Sequence, residues 1–314
     1  MSTAGLLVCN QLSAATGARL EAHPAHPRVI TRTEPEAPWE LPEGTEVLVT
    51  RGNPAWARAP EAAPAAFAGL KWIQVMSAGL DFYPDWLLRA CPVSTGRGLT
   101  AHQIADYVIA ALLRRAKPLD AVALRRGDEG QHRLGTLTGT RLGLVGYGAI
   151  GGQIAARARA FGMEIRVLRR REAAPEAGVS FVTEIEALTG WADHLVLAAP
   201  LTAATRGLLS RARLMACRPG LHLVNIARGE LLDQEALIGA LETGTLSYAT
   251  LDVTVPEPLP KGHPLLAHPK VLVTPHVAWS GLDLEEALWP RLAEGLSAVA
   301  TGGTPPYLSA DLGY

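Results

Sequence analysis

The chain has 314 residues, of which 48% are hydrophobic, so it can bury one large core or, as we expect, two domains. Its net charge of −1 gives no electrostatic reason to expect a nucleic acid or an anionic membrane as partner. The three cysteines form no Cys-x-x-Cys motif and no His-Glu-x-x-His is present, so we predict no metal. Because the apolar run at the start is short and no basic stretch precedes it, we expect a cytoplasmic protein.

Short apolar runs alternate with proline-rich connections in residues 1–98. Runs at 46–49 and 71–75 are typical of buried strands, and together with the connections they predict a small α/β domain. Near Thr100 the pattern becomes helical, because residues 103–113 carry apolar side chains at helical spacing. We therefore place the start of a second domain at residue 99.

A glycine-rich turn follows the first apolar run of this second domain. Residues 141–145 predict a strand, Gly146, Gly148 and Gly151 form Gly-x-Gly-x-x-Gly, and residues 153–161 predict a helix. Such glycines permit a tight turn, let the backbone approach a pyrophosphate and allow close helix packing, while the helix N-terminus offers N–H groups. The motif alone also fits a glycine-rich hairpin, but its order favours a dinucleotide site that includes Ala149 and Ile150.

The next predicted strand, residues 164–168, ends in three arginines. An NAD-specific site usually has an Asp or Glu at this place to bind the ribose hydroxyls, whereas here Arg169, Arg170 and Arg171 follow the strand. Guanidinium groups bind phosphate in a bidentate way, so the sequence favours NADP(H) over NAD(H). The alternative is a solvated strand end whose charges serve solubility.

Further strands alternate with helical stretches up to residue 273. The predicted strands are 194–198, 222–226, 248–253 and 271–273, a pattern typical of a doubly wound parallel sheet. Residues 283–300 predict a long final helix, which we expect to return to the first domain. We therefore predict a substrate domain of residues 1–98 and 285–314, a dinucleotide-binding domain of residues 99–284, and a substrate cleft between them.

Six motifs occur in order at residues 75–81, 146–151, 199–207, 225–233, 251–259 and 274–276. Together they resemble the D-isomer-specific 2-hydroxyacid dehydrogenases, in particular the glyoxylate/hydroxypyruvate reductase branch. The resemblance covers nearly the whole chain. It implies a Rossmann nucleotide-binding domain, a smaller, discontinuous, flavodoxin-like α/β substrate domain, and a homodimer that acts on a small 2-keto acid or D-2-hydroxy acid.

Arg228, Glu257 and His276 follow the ends of three predicted strands and supply the groups that such a reaction needs. Reduction of a 2-keto acid requires a proton donor, a cation that binds the carboxylate and polarises the carbonyl, and a nicotinamide. We predict that His276 transfers the proton and that Glu257 fixes its tautomer and raises its pKa. Arg228 is the predicted cationic clamp, because its forked donors can bind two oxygens at once.

The resemblance also implies roles for other residues. Small side chains at Ser77, Ala78 and Gly79 expose backbone N–H groups, so this loop is the predicted carboxylate cradle. Arg51 follows a strand and either contacts the substrate or is an exposed strand-end residue. The resemblance places four residues along the cofactor, Pro200, Thr205, Ala227 and Asp252, with Asp252 near the nicotinamide amide unless it simply ends its strand.

Three departures from the family pattern and two rival functions stay open. Thr254 replaces a common phenylalanine, Trp279 replaces a common small residue, and His132 with Arg133 occupies a region that often carries tryptophan. A formate or phosphite dehydrogenase is one rival, although the formate branch resembles this chain less because it carries glutamine at the place of Glu257. A nucleotide-sensing corepressor on the same fold is the second. We do not expect a phosphoglycerate dehydrogenase with a regulatory module, because the length of the chain disfavours it.

Overall fold

The structure, a computed structural model, describes residues 5–122, 134–169 and 176–309. Four residues singled out in the sequence, His132, Arg133, Arg170 and Arg171, lie outside these ranges. The chain divides into two compact units, one formed by Met1–Leu99 with Leu282–Tyr314 and the other by Thr100–Gly281.

The first unit begins with five parallel strands and two α-helices. In chain order these are β1 (Leu7–Asn10), α1 (Ala14–Glu21), β2 (Arg28–Thr31), β3 (Val47–Thr50), β4 (Trp72–Val75), α2 (Asp85–Ala90) and β5 (Val93–Ser94), with 3₁₀ turns at Pro54–Arg58 and Ala65–Gly69. The strand order is β2-β1-β3-β4-β5, and every pair is parallel. This is the flavodoxin-like order, so the fold predicted for the smaller domain is confirmed.

The second unit contains a larger parallel sheet. Its elements are α3 (Ala101–Ala116), α4 (Leu119–Val122), β6 (Arg141–Val145), α5 (Ala149–Ala160), β7 (Glu164–Leu168), β8 (Ser180–Val182), α6 (Glu186–Thr189), β9 (His194–Leu197), α7 (Arg211–Met215), β10 (Leu221–Asn225), α8 (Gln234–Glu242), β11 (Leu246–Leu251), α9 (Pro264–Ala267) and β12 (Val271–Val273), with a 3₁₀ turn at Gly229–Leu231. The strand order is β12-β11-β10-β9-β6-β7-β8, all parallel. The strands from β8 to β11 follow the Rossmann order, which confirms the predicted fold class, and β12 extends the sheet by one strand.

The last helix, α10 (Leu284–Ala300), belongs to the first unit. Asp283 caps it by accepting hydrogen bonds from the N–H groups of Glu285 and Glu286. Its buried leucines pack in one core with residues of β1, β3 and β4. A Cβ on Gly295 would overlap the ring of Trp72, so the absence of a side chain there lets α10 lie directly on the sheet.

The central strands of both sheets are buried. All four residues of β1, β3 and β9 and all five of β10 are buried, which is the continuous apolar pattern expected of parallel strands. None of the helices in the described ranges combines the length and hydropathy that a membrane span requires.

Candidate active site

The site residues predicted in the second unit follow the C-terminal ends of its strands. Because all strands of this sheet are parallel, residues that follow their last positions share one edge, where ligands bind in doubly wound folds. In spatial order along that edge they are Arg169 after β7, Gly146 after β6, Pro200 after β9, Ala227 and Arg228 after β10, Asp252 and Glu257 after β11, and His276 after β12.

The turn between β6 and α5 has no room for side chains at two of its glycines. Gly146 has a φ of +102°, and a Cβ there would lie 2.9 Å from the backbone at Ala198 and Ala199. A Cβ on Gly151 would overlap the carbonyl oxygen of Gly146. Gly148 is the N-cap of α5 and makes no side-chain cap, so the first N–H groups of the helix are left to another acceptor. The turn therefore fits a dinucleotide pyrophosphate.

Ala149 and Ile150 begin α5, immediately after this turn. A second loop of the edge is closed by Thr205, whose hydroxyl donates to the carbonyl of Pro200 at 2.7 Å. The same hydroxyl oxygen accepts the N–H of Thr202 at 2.8 Å. The loop predicted to lie along the cofactor is thus held in shape by one side chain.

Arg169 lies at the exposed end of β7, with its guanidinium carbon 5.8 Å from the centre of the Phe181 ring. A carboxylate also lies near the glycine turn, because Tyr147 donates its hydroxyl to Glu176 at 2.7 Å. Burial and the neighbouring Glu176 raise the pKa of Tyr147 to about 12, so this phenol stays protonated. Arg159 lies 3.8 Å from Glu176 and counters its charge.

Arg228 is half-buried in a loop braced by Asn225. The Asn225 side chain donates to the Arg228 carbonyl at 2.8 Å and accepts the Ala227 N–H at 3.1 Å. The Arg228 guanidinium donates to the Ala227 carbonyl at 2.7 Å. A Cβ on the next residue, Gly229, would overlap the backbone of Thr254, so glycine there allows the β10 and β11 loops to touch. Arg228 is therefore held beside the loop that carries Glu257.

Glu257 and His276 form the closest titratable pair of the predicted set. The Nδ1 of His276 lies 2.6 Å from Oε1 of Glu257, and the second carboxylate oxygen accepts the N–H of Thr254 at 3.4 Å. A carboxylate can only accept, so Nδ1 carries a proton that it donates to Glu257, and Nε2 is the nitrogen that exchanges protons. Thr254 is buried, and its hydroxyl donates to the carbonyl of Pro256 at 2.9 Å.

The backbone of His276 is strained, with a φ of +53°. A left-handed conformation costs a non-glycine residue about 1 kcal/mol or more, so surrounding bonds must hold it. The N–H of His276 donates to the carbonyls of Asp252 and Thr274 at 2.9 and 3.0 Å. The carboxylate of Asp252, only 2% exposed, accepts the N–H groups of Val277 and Ala278, each at 2.9 Å. Asp252 thus anchors the loop that presents His276, and its predicted contact with the nicotinamide amide stays a prediction.

The first unit carries the remaining predicted residues at the matching edge of its own sheet. Arg51 follows β3 and the Ser77–Gly79 loop follows β4, and these two strands are paired neighbours. Arg51 makes an exposed ion pair with Glu34 at 3.2 Å. The carbonyl of Ser77 accepts the N–H of Gly96 at 3.0 Å, and Ala78 and Gly79 are half-buried. Their contacts with a substrate stay predictions.

Three comparisons place this arrangement among known proteins. Residues 107–278 match the family model of the D-isomer specific 2-hydroxyacid dehydrogenase, NAD binding domain. The chain belongs to the D-isomer-specific 2-hydroxyacid dehydrogenase family. It is 31% identical to glyoxylate/hydroxypyruvate reductase A of Serratia proteamaculans, over 75% of this chain and 79% of that protein. It is 30% identical to glycerate dehydrogenase of Methylorubrum extorquens, over 85% of this chain and 87% of that protein.

A solved structure gives the same relationship across both units. The D-isomer-specific 2-hydroxyacid dehydrogenase of Xanthobacter autotrophicus, crystallised with NADPH and MES, aligns with a TM-score of 0.79 at 28% identity. The alignment covers 99% of this chain and all of that one. The chain is therefore an oxidoreductase of this dehydrogenase family with a nicotinamide nucleotide-binding domain. Among the described residues, no three His, Cys, Asp or Glu side chains are grouped to hold a metal ion.

Sequence reasoning missed the side chains that brace these loops. Asn225 lies within a motif singled out in the sequence, but nothing in the motif shows that its side chain spans to Arg228. Thr274 precedes the predicted Pro-His pair, and its hydroxyl donates to Oδ1 of Asp252 at 2.6 Å. Tyr107 lies on α3 and contacts Thr274 across 167 residues of sequence, a separation that leaves no local signal.

Proposed function

We propose that this protein reduces small 2-keto acids of the glyoxylate and hydroxypyruvate type to D-2-hydroxy acids, with NADP(H) preferred over NAD(H). The observation that carries the proposal is the Glu257–His276 pair, with Nδ1 and Oε1 2.6 Å apart, at the sheet edge that also carries Arg228 and the glycine turn. The names of the relatives from Serratia and Methylorubrum support the substrate class.

Arg228, His276 and Glu257 each have a separate role in the proposed reaction. A reduced nicotinamide nucleotide, held at the glycine turn of Gly146, Gly148 and Gly151, would supply the hydride for the keto carbon. Arg228 binds the substrate carboxylate and stabilises the negative charge that develops on the keto oxygen. His276 protonates that oxygen from Nε2 while Nδ1 keeps its hydrogen bond to Glu257, so the imidazole ends neutral in the required tautomer. On oxidation of the hydroxy acid, the same Nε2 accepts the proton.

The cofactor preference is argued from the end of β7. Arg169 stands where an NAD-specific site carries an acidic residue, and its guanidinium suits a 2′-phosphate. Glu176 would oppose that phosphate, but its hydrogen bond from Tyr147 and its proximity to Arg159 reduce its negative field. The second predicted residue, Arg170, belongs to the same proposal and lies outside the described residues.

The family resemblance supports a homodimer, and the state of the cysteines supports a location in the cytoplasm. Cys9, Cys91 and Cys217 are free thiols, as is usual where cytosolic reductants keep cysteines reduced. Light scattering on the purified protein measures the assembly: twice the chain mass supports the dimer, and the mass of one chain contradicts it.

Substrate contacts from Arg51 and the Ser77–Gly79 loop complete the proposal. Replacing Arg51 by Ala should then raise KM for the keto acid.

The test is consumption of NADPH and NADH, measured separately, with glyoxylate, hydroxypyruvate, pyruvate, a bulky aromatic 2-keto acid and a blank without substrate. We expect turnover of the small keto acids, faster with NADPH. Nucleotide binding without turnover of any keto acid would contradict the proposal and favour the nucleotide-sensing binding protein.

A further inference from the structure

A chain of hydrogen bonds leads from helix α3 to the loop that presents His276. The hydroxyl of Tyr107 lies 2.6 Å from the hydroxyl of Thr274, and Thr274 lies 2.6 Å from Oδ1 of Asp252. The Asp252 carboxylate then accepts the N–H groups of Val277 and Ala278, directly after the predicted proton donor. Every member lies in the second unit.

The direction of these bonds follows from the donors and acceptors. An ionised carboxylate only accepts, so the single hydroxyl proton of Thr274 goes to Asp252. Thr274 must then accept from Tyr107, which makes the phenol the first donor of the chain. Burial and the nearby Asp252 raise the pKa of Tyr107, so it keeps its proton over the range in which the enzyme would work.

Tyr107, the first donor, lies on helix α3, which is packed against neighbouring elements. Apolar residues of α3, including Ile104 and Val108, pack in one core with Ile154 of α5 and with strand β6. On the exposed side, Arg157 of α5 donates to Asp106 at 2.7 Å and lies 3.2 Å from the ring of His102. Tyr107 therefore holds Thr274 from a helix that cannot easily shift.

Asp252, the last acceptor of the chain of hydrogen bonds, stabilises a strained loop, because the backbone of His276 is left-handed at φ +53°. Asp252 anchors both residues that follow this strained position, and its two oxygens share three donors. Loss of the Thr274 hydrogen bond would leave Oδ1 with one donor in a buried environment and free the carboxylate to rotate. The loop would then be less well fixed, and so would the imidazole.

We propose that Tyr107 and Thr274 are positioning residues that act through Asp252 to hold the His276 loop in its strained, productive conformation. The inference rests on the proposed function, since it takes His276 as the proton donor. It goes beyond that function because neither residue is assigned a contact with substrate or cofactor.

The experiment compares Thr274→Val, which deletes the hydroxyl, with Thr274→Ser, which keeps it. We expect Thr274→Val to lower kcat about 10- to 100-fold while KM for the nucleotide stays within about twofold, because a displaced catalytic group slows chemistry more than remote binding. Thr274→Ser should restore kcat to within about threefold of the original chain. Equal kcat values in the two variants would overturn the inference.

Tyr107→Phe tests the first donor, with Tyr307→Phe as a matched hydroxyl deletion in the other unit. Tyr307 is 44% exposed, so its loss should have no effect on kcat. Tyr107→Phe should lower kcat about threefold to tenfold, less than Thr274→Val, since it leaves the direct bond to Asp252 in place. No change in kcat for Tyr107→Phe would remove Tyr107 from the proposal.

Amide hydrogen exchange separates this inference from the proposed function. Protection of the Val277 and Ala278 amides should fall in Thr274→Val and Tyr107→Phe and stay normal in Thr274→Ser and Tyr307→Phe. This readout needs no turnover. If the original chain reduces no keto acid but the amides respond in this way, the proposed function fails and the loop anchor stands. If turnover depends on His276 but the amides do not respond, the proposed function stands and the loop anchor fails.

Discussion

Two regions of the same sheet edge are built in different ways. The turn from β6 to α5 depends on the absence of side chains, since Gly146 and Gly151 leave no space for a Cβ. The loops after β10, β11 and β12 depend on side chains, because Asn225 accepts a hydrogen bond within its own loop and both Asp252 and Glu257 accept hydrogen bonds from the loop after β12. A nucleotide can be bound by backbone N–H groups, whereas proton transfer needs one imidazole in one orientation. Substitutions in the turn should therefore lower nucleotide affinity, whereas substitutions in the loops should lower kcat.

His276→Ala gives the largest expected effect on the side-chain region. Removal of a proton donor that acts in the transition state should lower kcat by about 10²- to 10⁴-fold. Nucleotide affinity, measured by fluorescence titration, should stay within about twofold, because the glycine turn is untouched. Turnover close to that of the original chain would show that another group supplies the proton.

Gly146→Val makes the reciprocal change in the backbone region. A branched side chain would collide with the backbone at Ala198 and Ala199 and would require φ near +102°, a conformation that β-branched residues avoid. We expect NADPH affinity to fall at least about 100-fold in a titration. Gly152→Ala is the control, because nothing lies within 4 Å of a Cβ there. Unchanged affinity in Gly146→Val would place the nucleotide elsewhere.

The starts of the strands offer a comparison with the edge that carries the predicted site, because a buried histidine pair lies at these starts. The Nδ1 atoms of His194 and His222 are 3.2 Å apart, and burial lowers the pKa of His194 to about 4 and that of His222 well below its ordinary value. In the unfolded chain His194 would titrate near 6.5, so below that pH the unfolded state binds more protons and stability falls.

Urea unfolding as a function of pH measures this effect. We expect the free energy of unfolding to decline from about pH 6.5 towards pH 4, with His194 contributing on the order of 3 kcal/mol. His194→Gln should flatten the decline. His26→Asn is the control, since His26 is exposed and asparagine tolerates its φ of +46°. An equal decline in His194→Gln would assign the acid sensitivity to other groups.

Glu257→Gln keeps the hydrogen-bonding shape of the Glu257–His276 pair but removes the charge of the carboxylate. We expect kcat to fall about 10- to 100-fold, because a neutral amide stabilises the imidazolium less well than a carboxylate at 2.6 Å. The pH dependence of kcat/KM should move with the change, which a purely structural defect would not produce. An unchanged profile would leave Glu257 with a structural role only.

Arg169→Ser should have the smallest effect, limited to nucleotide choice. Loss of one charge-assisted contact should weaken NADPH about tenfold and NADH hardly at all, measured as separate dissociation constants. Arg211→Ser removes an exposed arginine elsewhere in the same unit and should change neither constant. Equal losses for both nucleotides in Arg169→Ser would show that the arginine serves the fold rather than the phosphate.

The backbone region was the more predictable of the two. Gly146, Gly148 and Gly151 are close in sequence, so the order of strand, turn and helix was visible without long-range information, and the structure has β6 and α5 on either side. The strand predicted at 248–253 was wrong at both ends, since β11 spans Leu246–Leu251. Asp252 and Val253 are buried in the loop that follows, and burial alone looks like a strand in the sequence.

The side-chain region could be predicted only in part. The motifs identified Arg228, Glu257 and His276, but not the residues that hold them. The bonds from Tyr107 to Thr274 and from Asn225 to Arg228 depend on how loops and a helix meet in space, which single-sequence periodicity does not encode. Short edge elements such as β2, whose residues are partly exposed, and the two-residue β5 also lack a pattern that would predict them.

Transfer of an isotopic label tests hydride transfer to a 2-keto acid most directly. NADPH carrying deuterium at the transferring position of the nicotinamide would be incubated with the protein and glyoxylate or hydroxypyruvate, and the product analysed by mass spectrometry. We predict a 2-hydroxy acid with one deuterium on carbon 2, formed by the original chain and almost absent with His276→Ala. Bound NADPH that keeps its label, or a product without deuterium, would contradict the account.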